Sequence, residues 1–81
     1  MIAWTKGGSA TLVRFAEPHA TVRSTISAAP GTPLEGTVDA TTLVVTLKVK
    51  TCRRDADAFV IEGRLVNLTR ELRQALQQLV T

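Results

Sequence analysis

The chain contains a single cysteine, Cys52, and a single histidine, His19, so no intramolecular disulfide can form and a zinc site would lack ligands. It also lacks any stretch near the ~18 apolar residues of a membrane span, and no charged region followed by a long apolar one begins at Met1. These absences predict a protein without a membrane span that works in a reducing, cytoplasmic environment.

Groups that could carry out catalysis are equally scarce. Cys52 and His19 are the one combination available for nucleophilic catalysis, and no third side chain is indicated that would orient them. Gly7-Gly8-Ser9 precedes a strand pattern rather than a helix and lacks the Gly-Lys-Ser/Thr ending of a phosphate loop. We therefore expect Cys52 to be structural, and we expect neither an enzyme nor a cofactor.

What the chain does have is the composition of one small globular domain. Its 81 residues are 44% hydrophobic, and a chain of this length can bury one core, so residues 1–81 are predicted to form a single domain. Ten Lys and Arg against seven Asp and Glu give a net charge of +3, which biases the surface toward anions. A monomer and a homo-oligomer are both compatible with this composition.

Alternating apolar and polar side chains predict several short strands. Residues 10–16, 21–27 and 34–38 have strand composition. In the first of these segments, strict alternation places Leu12 and Phe15 on opposite sides of the strand.

Two glycines mark predicted irregularities: a turn at Gly31 and a bend or close approach at Gly36. Pro30-Gly31 predicts a type II turn, because proline presets φ at the second turn position and glycine accepts the positive φ that follows. Gly36 lies inside a strand pattern, where it indicates a bend or a close approach of another backbone segment. Asp39 and Ala40 are predicted to turn the chain again.

A long hairpin follows. Residues 43–51 and 59–66 both alternate with a period of two, and the polar residues 52–58 between them are predicted to form the loop. Trp4, near the start of the chain, is expected to cover an open end of the core, and the alternative is an exposed aromatic used for recognition. The apolar sides of the hairpin and of the final helix predict the core itself: Leu43, Val45, Leu47, Val49, Phe59, Ile61, Leu65, Leu72, Leu76 and Leu79.

The last segment is predicted to be an amphipathic helix. Thr69 can cap its first turn, and Glu71 lies where the positive end of the helix dipole favours an acid. Its apolar residues recur at helical spacing, so the helix must pack on the sheet or on a partner. The predicted architecture is mainly β: a five- to six-stranded antiparallel barrel or strongly curved sheet, with a C-terminal helix covering one opening.

One basic cluster is the best candidate for a functional surface. It places four positive charges within seven residues, at the end of one strand and in the adjoining loop, where they could meet a phosphate or an acidic partner. The alternative is a solvated face balanced by Glu62, Asp55 and Asp57. The candidate residues are Lys48, Lys50, Arg53 and Arg54.

These features together resemble a known family. The matching segments are Pro30-Gly31-Thr32-Pro33-Leu34 entering a strand, the long strand from Leu43, the glycine-containing strand Phe59-Val60-Ile61-Glu62-Gly63-Arg64-Leu65, and Asn67-Leu68-Thr69-Arg70-Glu71-Leu72 opening the helix. From Ala29 to Val80 the sequence resembles the PilZ domain. That family consists of small β-barrels that bind cyclic diguanylate or serve as adaptors in bacterial second-messenger signalling.

The resemblance also sets an expectation for partners. The two signatures that hold cyclic diguanylate in the family, Arg-x-x-x-Arg and Asp/Asn-x-Ser-x-x-Gly, do not occur in this sequence. No nucleotide-contacting residue can therefore be carried over. The resemblance implies a non-enzymatic adaptor of the cyclic diguanylate pathway that docks to a partner protein. A small basic barrel that binds nucleic acid nonspecifically is the alternative.

Cyclic diguanylate is therefore predicted not to bind at physiological concentrations. Without the arginine pair and the acid–serine signature, the ligand loses several charge-assisted contacts worth roughly 1.5–3 kcal/mol each. Two such losses, about 3–6 kcal/mol, move a micromolar ligand to near-millimolar affinity or weaker. Isothermal titration of the purified domain measures this affinity, and a micromolar dissociation constant would contradict the prediction.

Overall fold

A computed structural model describes residues 1–38 and 43–80, apart from the side chain of Val80. The described residues form a closed antiparallel barrel with the strand order β1-β2-β3-β6-β5-β4, followed by one helix. The predicted barrel with a C-terminal helix is thereby confirmed, whereas the predicted turn at Asp39 and Ala40 lies outside the described residues. The elements are β1 Ile2–Trp4, β2 Ser9–Ala16, β3 His19–Ser24, β4 Pro33–Val38, β5 Val44–Asp55, β6 Ala58–Val66 and α1 Arg70–Val80.

Strand β1 was not predicted from the sequence. It has only three residues, too few to establish an alternating pattern. It nevertheless closes the barrel, because Ile2 pairs with Ala10 of β2 on one side and with Val38 of β4 on the other. The turn that follows β1 contains Gly7 and Gly8, both with positive φ.

A bulge in β2 reverses the predicted sides of that strand. Leu12 and Arg14 pair with successive residues of β3, so Val13 is an extra residue without its own partner. After the bulge the alternation is shifted by one position. Leu12 is buried and Phe15 packs against the same core, so the prediction that they lie on opposite sides is wrong.

The hairpin between β5 and β6 is longer than predicted. Residues 52–58 do not form a loop: β5 continues to Asp55, which pairs with Ala58, and the turn includes Ala56 with φ of 57°. A second bulge makes Lys50 the extra residue of β5. It turns Cys52 inward, where the side chain packs against the core, in agreement with a structural cysteine.

The core contains the residues that alternation predicted. Three of the ten predicted members, Leu43, Phe59 and Leu79, are only partly buried. Trp4 is 4% exposed, and its Nε1 donates a hydrogen bond of 2.9 Å to Ser24 Oγ, a buried polar atom on β3. Trp4 is therefore a buried member of the core and not an exposed aromatic, whereas its covering an open end of the core stays a prediction. The fully buried members of the predicted set are Val45, Leu47, Val49, Ile61, Leu65, Leu72 and Leu76.

Helix α1 begins as the sequence predicts and packs against β2. The backbone N–H of Leu72 donates to Thr69 Oγ1 at 3.1 Å, which is an N-cap hydrogen bond. Arg73 Nε lies 2.7 Å from Glu17 Oε2, at the end of the β2–β3 hairpin. Both side chains are about two-fifths exposed, so this ion pair stabilises the helix position by at most about 1 kcal/mol. Within the described residues, no helix is long and apolar enough to span a membrane.

Two of the glycines behave as the sequence predicts. Gly31 has a φ of 89°, and the N–H of Thr32 donates to Ala29 O at 3.2 Å across the predicted turn. At Gly36, a Cβ would lie 2.6 Å from Ala3 O and 2.8 Å from a ring carbon of Trp4. Glycine at position 36 therefore allows β1 and β4 to approach each other closely.

Replacing Gly36 by Ala should destabilise the barrel by about 1–3 kcal/mol, as overpacking of a well-packed interior does. Elsewhere in a strand, Gly→Ala usually stabilises by about 0.4–1 kcal/mol because the unfolded chain loses freedom. At this position the new methyl group meets a backbone oxygen that cannot move without breaking the β1–β4 pairing.

Urea unfolding measures the free energy of unfolding of the Gly36→Ala variant. Thr37→Ala is the matched control, because Thr37 is the next residue of β4 and is exposed. Equal or greater stability of Gly36→Ala than of the wild type would show that the close approach is not a constraint.

Candidate anion-binding face

Strand pairing brings basic side chains into one row on the outside of the barrel. Arg64 of β6 pairs with His19 of β3 on one side and with Lys48 of β5 on the other. All three side chains are exposed. Directly opposite residues of antiparallel strands have Cβ atoms about 4.5–5.5 Å apart, so Arg64 has a positively charged neighbour in Lys48.

The next outward-facing row lies two residues further along β3 and β6 and contains both bulges. Arg14 pairs with Thr21, and Thr21 pairs with Glu62. Glu62 in turn lies opposite the bulge formed by Lys50 and Thr51. We call these two rows together the basic face: His19, Arg64 and Lys48 in the first row, and Arg14, Thr21, Glu62, Lys50 and Thr51 in the second.

The second row borders a cavity of about 270 Å³. His19 of the first row also lines this cavity, so the cavity lies between the two rows. Its lining combines three basic side chains, one hydroxyl and one carboxylate with small apolar residues: Arg14, Ala16, His19, Ala20, Thr21, Lys50 and Glu62.

The basic face carries an excess of positive charge. Arg14, Lys48, Lys50 and Arg64 form no ion pair with any residue in the described part of the chain. Glu62 is the single acid in the two rows. Because like charges directly opposite each other are destabilising, we expect Lys48 and Arg64 to repel each other in the free protein.

The arginines at the tip of the hairpin behave differently from the sequence-based expectation. Arg53 and Arg54 are consecutive residues of strand β5 rather than members of a loop. Neighbouring residues of a strand point to opposite sides, so these two side chains cannot clamp one phosphate between them. Arg54 Nε instead donates to Ala56 O at 3.3 Å within the hairpin. Of the four predicted residues, Lys48 and Lys50 belong to the basic face.

The hairpin acid also has a different partner from the one expected. Asp55 accepts a 2.9 Å hydrogen bond from Arg23 of β3, and the two side chains form an ion pair. It therefore does not balance Lys48 or Lys50. Asp55 instead neutralises Arg23 near the hairpin tip, away from the two rows.

Sequence reasoning missed Arg14, His19 and Arg64. Their presence beside Lys48 and Lys50 depends on the pairing of β6 with β3 and β5 and on the bulge in β2. The alternation in β6 did place Arg64 on the same side as Glu62, and that was the one signal available. Nothing in the sequence specified which residues of β3 and β5 would lie beside it.

The Trp and Phe residues take no part in the basic face. Trp4 is buried, and Phe15 and Phe59 are partly buried against the core. The chain has no other Trp or Phe and no Tyr. The face therefore offers no Trp, Tyr or Phe ring on which a base could stack.

Comparisons with protein-family models, with curated proteins and with solved structures give no match. The resemblance to the PilZ domain thus rests on the sequence segments described above. Among the residues that the structure describes, no group of three or more His, Cys, Asp and Glu side chains is arranged to hold a metal ion.

Replacing Lys48 by Gln should stabilise the free protein by about 0.2–1 kcal/mol, because it removes one of two like charges that face each other. Thermal unfolding at low ionic strength measures this gain. The gain should shrink as salt is added, since exposed charges are screened over about 10 Å at 0.1 M.

Arg53→Gln is the matched control for the charge change. It removes the same unit of charge from the same strand, but Arg53 lies opposite Val60. Its stability should stay within about 0.5 kcal/mol of the wild type. A loss of stability in Lys48→Gln would mean that Lys48 has a favourable partner and that the repulsion is not present.

Proposed function

We propose that this chain is a non-enzymatic PilZ-like module that docks an acidic segment of a partner protein on its basic face. In this proposal it acts as an adaptor in bacterial second-messenger regulation and does not bind cyclic diguanylate itself. The observation that carries the proposal is the first row, in which Lys48 and Arg64 lie directly opposite each other and neither has an ion-pair partner among the described residues. An acidic partner would relieve this repulsion on binding.

The concentration of charge on this face supports a binding role. Four of the ten Lys and Arg side chains lie in the two rows, with Glu62 as the single acid beside them. Ion pairs are found outside the rows, at Arg23 with Asp55 and at Arg73 with Glu17. A patch of one sign steers an oppositely charged partner and fixes its orientation.

Nonspecific binding of nucleic acid is the second candidate, because phosphates would meet the same cations. Single-stranded nucleic acids are generally held by a basic groove together with aromatic rings on which bases stack. Here Trp4, Phe15 and Phe59 are buried or partly buried, which leaves the imidazole of His19 as the one aromatic ring on the face. A net charge of +3 on 81 residues also gives only a modest electrostatic attraction to a duplex. We therefore favour an acidic protein segment.

A direct test compares an acidic peptide with duplex DNA. A peptide of about nine residues at ~3.3 Å each would match the 31 Å long dimension of the protein. A Gly/Ser peptide of that length with alternating Glu should bind the full chain measurably in fluorescence anisotropy. Lys48→Glu and Arg64→Glu should each lower its affinity about tenfold or more, because each charge-assisted contact is worth roughly 1.5–3 kcal/mol.

Arg54→Glu is the control, since Arg54 pairs with Phe59 at the tip of the hairpin, outside the two rows, and carries the same change of charge. Its peptide affinity should stay near that of the wild type. Tighter binding of the duplex than of the peptide, with a log–log salt slope near −0.9 per phosphate contacted, would favour the nucleic-acid alternative.

A further inference from the structure

The two bulges of the barrel lie on the same transverse row. The bulge in β2 turns Arg14 outward, although strict alternation after Leu12 would have pointed it into the barrel. The bulge in β5 leaves Lys50, which strict alternation also points outward, as the extra residue opposite Glu62. Bulges are frequent beside functional sites because they re-aim a side chain. Here the bulge in β2 re-aims Arg14, and both bulges border one cavity.

The size of the cavity restricts its occupant. Its volume of about 270 Å³ is below the roughly 300–1,000 Å³ of pockets that enclose drug-sized ligands. It is also roughly nine times the ~30 Å³ that one water molecule occupies in the liquid. The cavity is therefore large enough for one polar side chain and too small to enclose a dinucleotide.

The chemistry of the lining restricts the occupant further. Arg14 offers a planar fork that matches a carboxylate, and Lys50 offers a point charge. Thr21, between Arg14 and Glu62 in the row, adds a hydroxyl that can donate a hydrogen bond. Glu62 contributes one negative charge, so the two cations leave an excess of one positive charge. This balance suits a monoanion better than a phosphate dianion.

We propose that this cavity is the anchor subsite of the basic face. It takes one carboxylate side chain, Asp or Glu, of the partner's acidic segment. Arg14 holds the carboxylate, with Lys50 as the second cation. Glu62 accepts a backbone N–H of the bound segment and repels a phosphorylated side chain. This inference rests on the proposed function, because it names the residue type by which the docked segment is recognised.

The test uses three peptides of the acidic Gly/Ser design that differ at their central residue, which is Glu, phosphoserine or Gln. The full-length protein should bind the Glu peptide about tenfold more tightly than the Gln peptide, and more tightly than the phosphoserine peptide. Arg14→Lys keeps the charge but removes the fork, and should lower the affinity for the Glu peptide about fivefold or more.

Glu62→Gln should change the selectivity of the site. Removing the carboxylate should raise the affinity for the phosphoserine peptide more than that for the Glu peptide. Arg53→Gln is the control outside the cavity and should leave all three affinities near those of the wild type. These side chains are exposed, and thermal unfolding of each variant establishes that it is folded.

The possible outcomes distinguish the anchor inference from the proposed function of the basic face. If the three peptides bind equally well and Arg14→Lys has no effect, while Lys48→Glu abolishes binding, the anchor inference is overturned. Docking of an acidic segment on the basic face is then still supported. A wild-type preference for the phosphoserine peptide also overturns the anchor inference. If none of the peptides binds, both the anchor and the proposed function are overturned.

Discussion

The barrel depends on its closure by the three-residue strand β1. Without the pairing of Ile2 with both Ala10 and Val38, β2 and β4 would be open edges of a curved sheet. Closure brings β1 so close to β4 that no side chain fits at Gly36. It also places Trp4 where its Nε1 reaches Ser24 on β3, two strands away in the barrel. One short strand thus fixes both the closure and the polar contact within the core.

Closure also has consequences for the outer surface. Long strands must coil to remain in a small barrel, and bulges increase the local twist and bend of a strand. β2 and β5 are bulged at Val13 and Lys50, and both bulges fall on the row of Thr21 and Glu62. The bulge that bends β2 is therefore also the one that turns Arg14 outward, beside the cavity that Lys50 lines. Part of the candidate site thus has the same physical origin as the fold.

The sequence predicted the parts of this fold that depend on local patterns. The Thr69 cap, the turn at Gly31 and most of the core follow from side chains within one segment. β1 was missed because three residues carry too little pattern, and the bulges were missed because an extra residue leaves the composition of a strand unchanged. Register determines which cations share a face, so Lys48 and Lys50 were found whereas Arg14 and Arg64 were not.

Missing ion pairs do not by themselves distinguish the basic face from an ordinary solvated surface. Among the described residues, Arg23 and Arg73 are in ion pairs, whereas Lys6, Arg53, Arg54 and Arg70, which also lie outside the two rows, are not. Exposed ion pairs of this kind contribute little to stability, so their absence from the two rows would cost little by itself. The informative point is that Lys48 lies directly opposite Arg64, where a neutral residue would be more favourable. The register of the barrel thus holds two like charges side by side, which is the arrangement that the proposed acidic segment would neutralise.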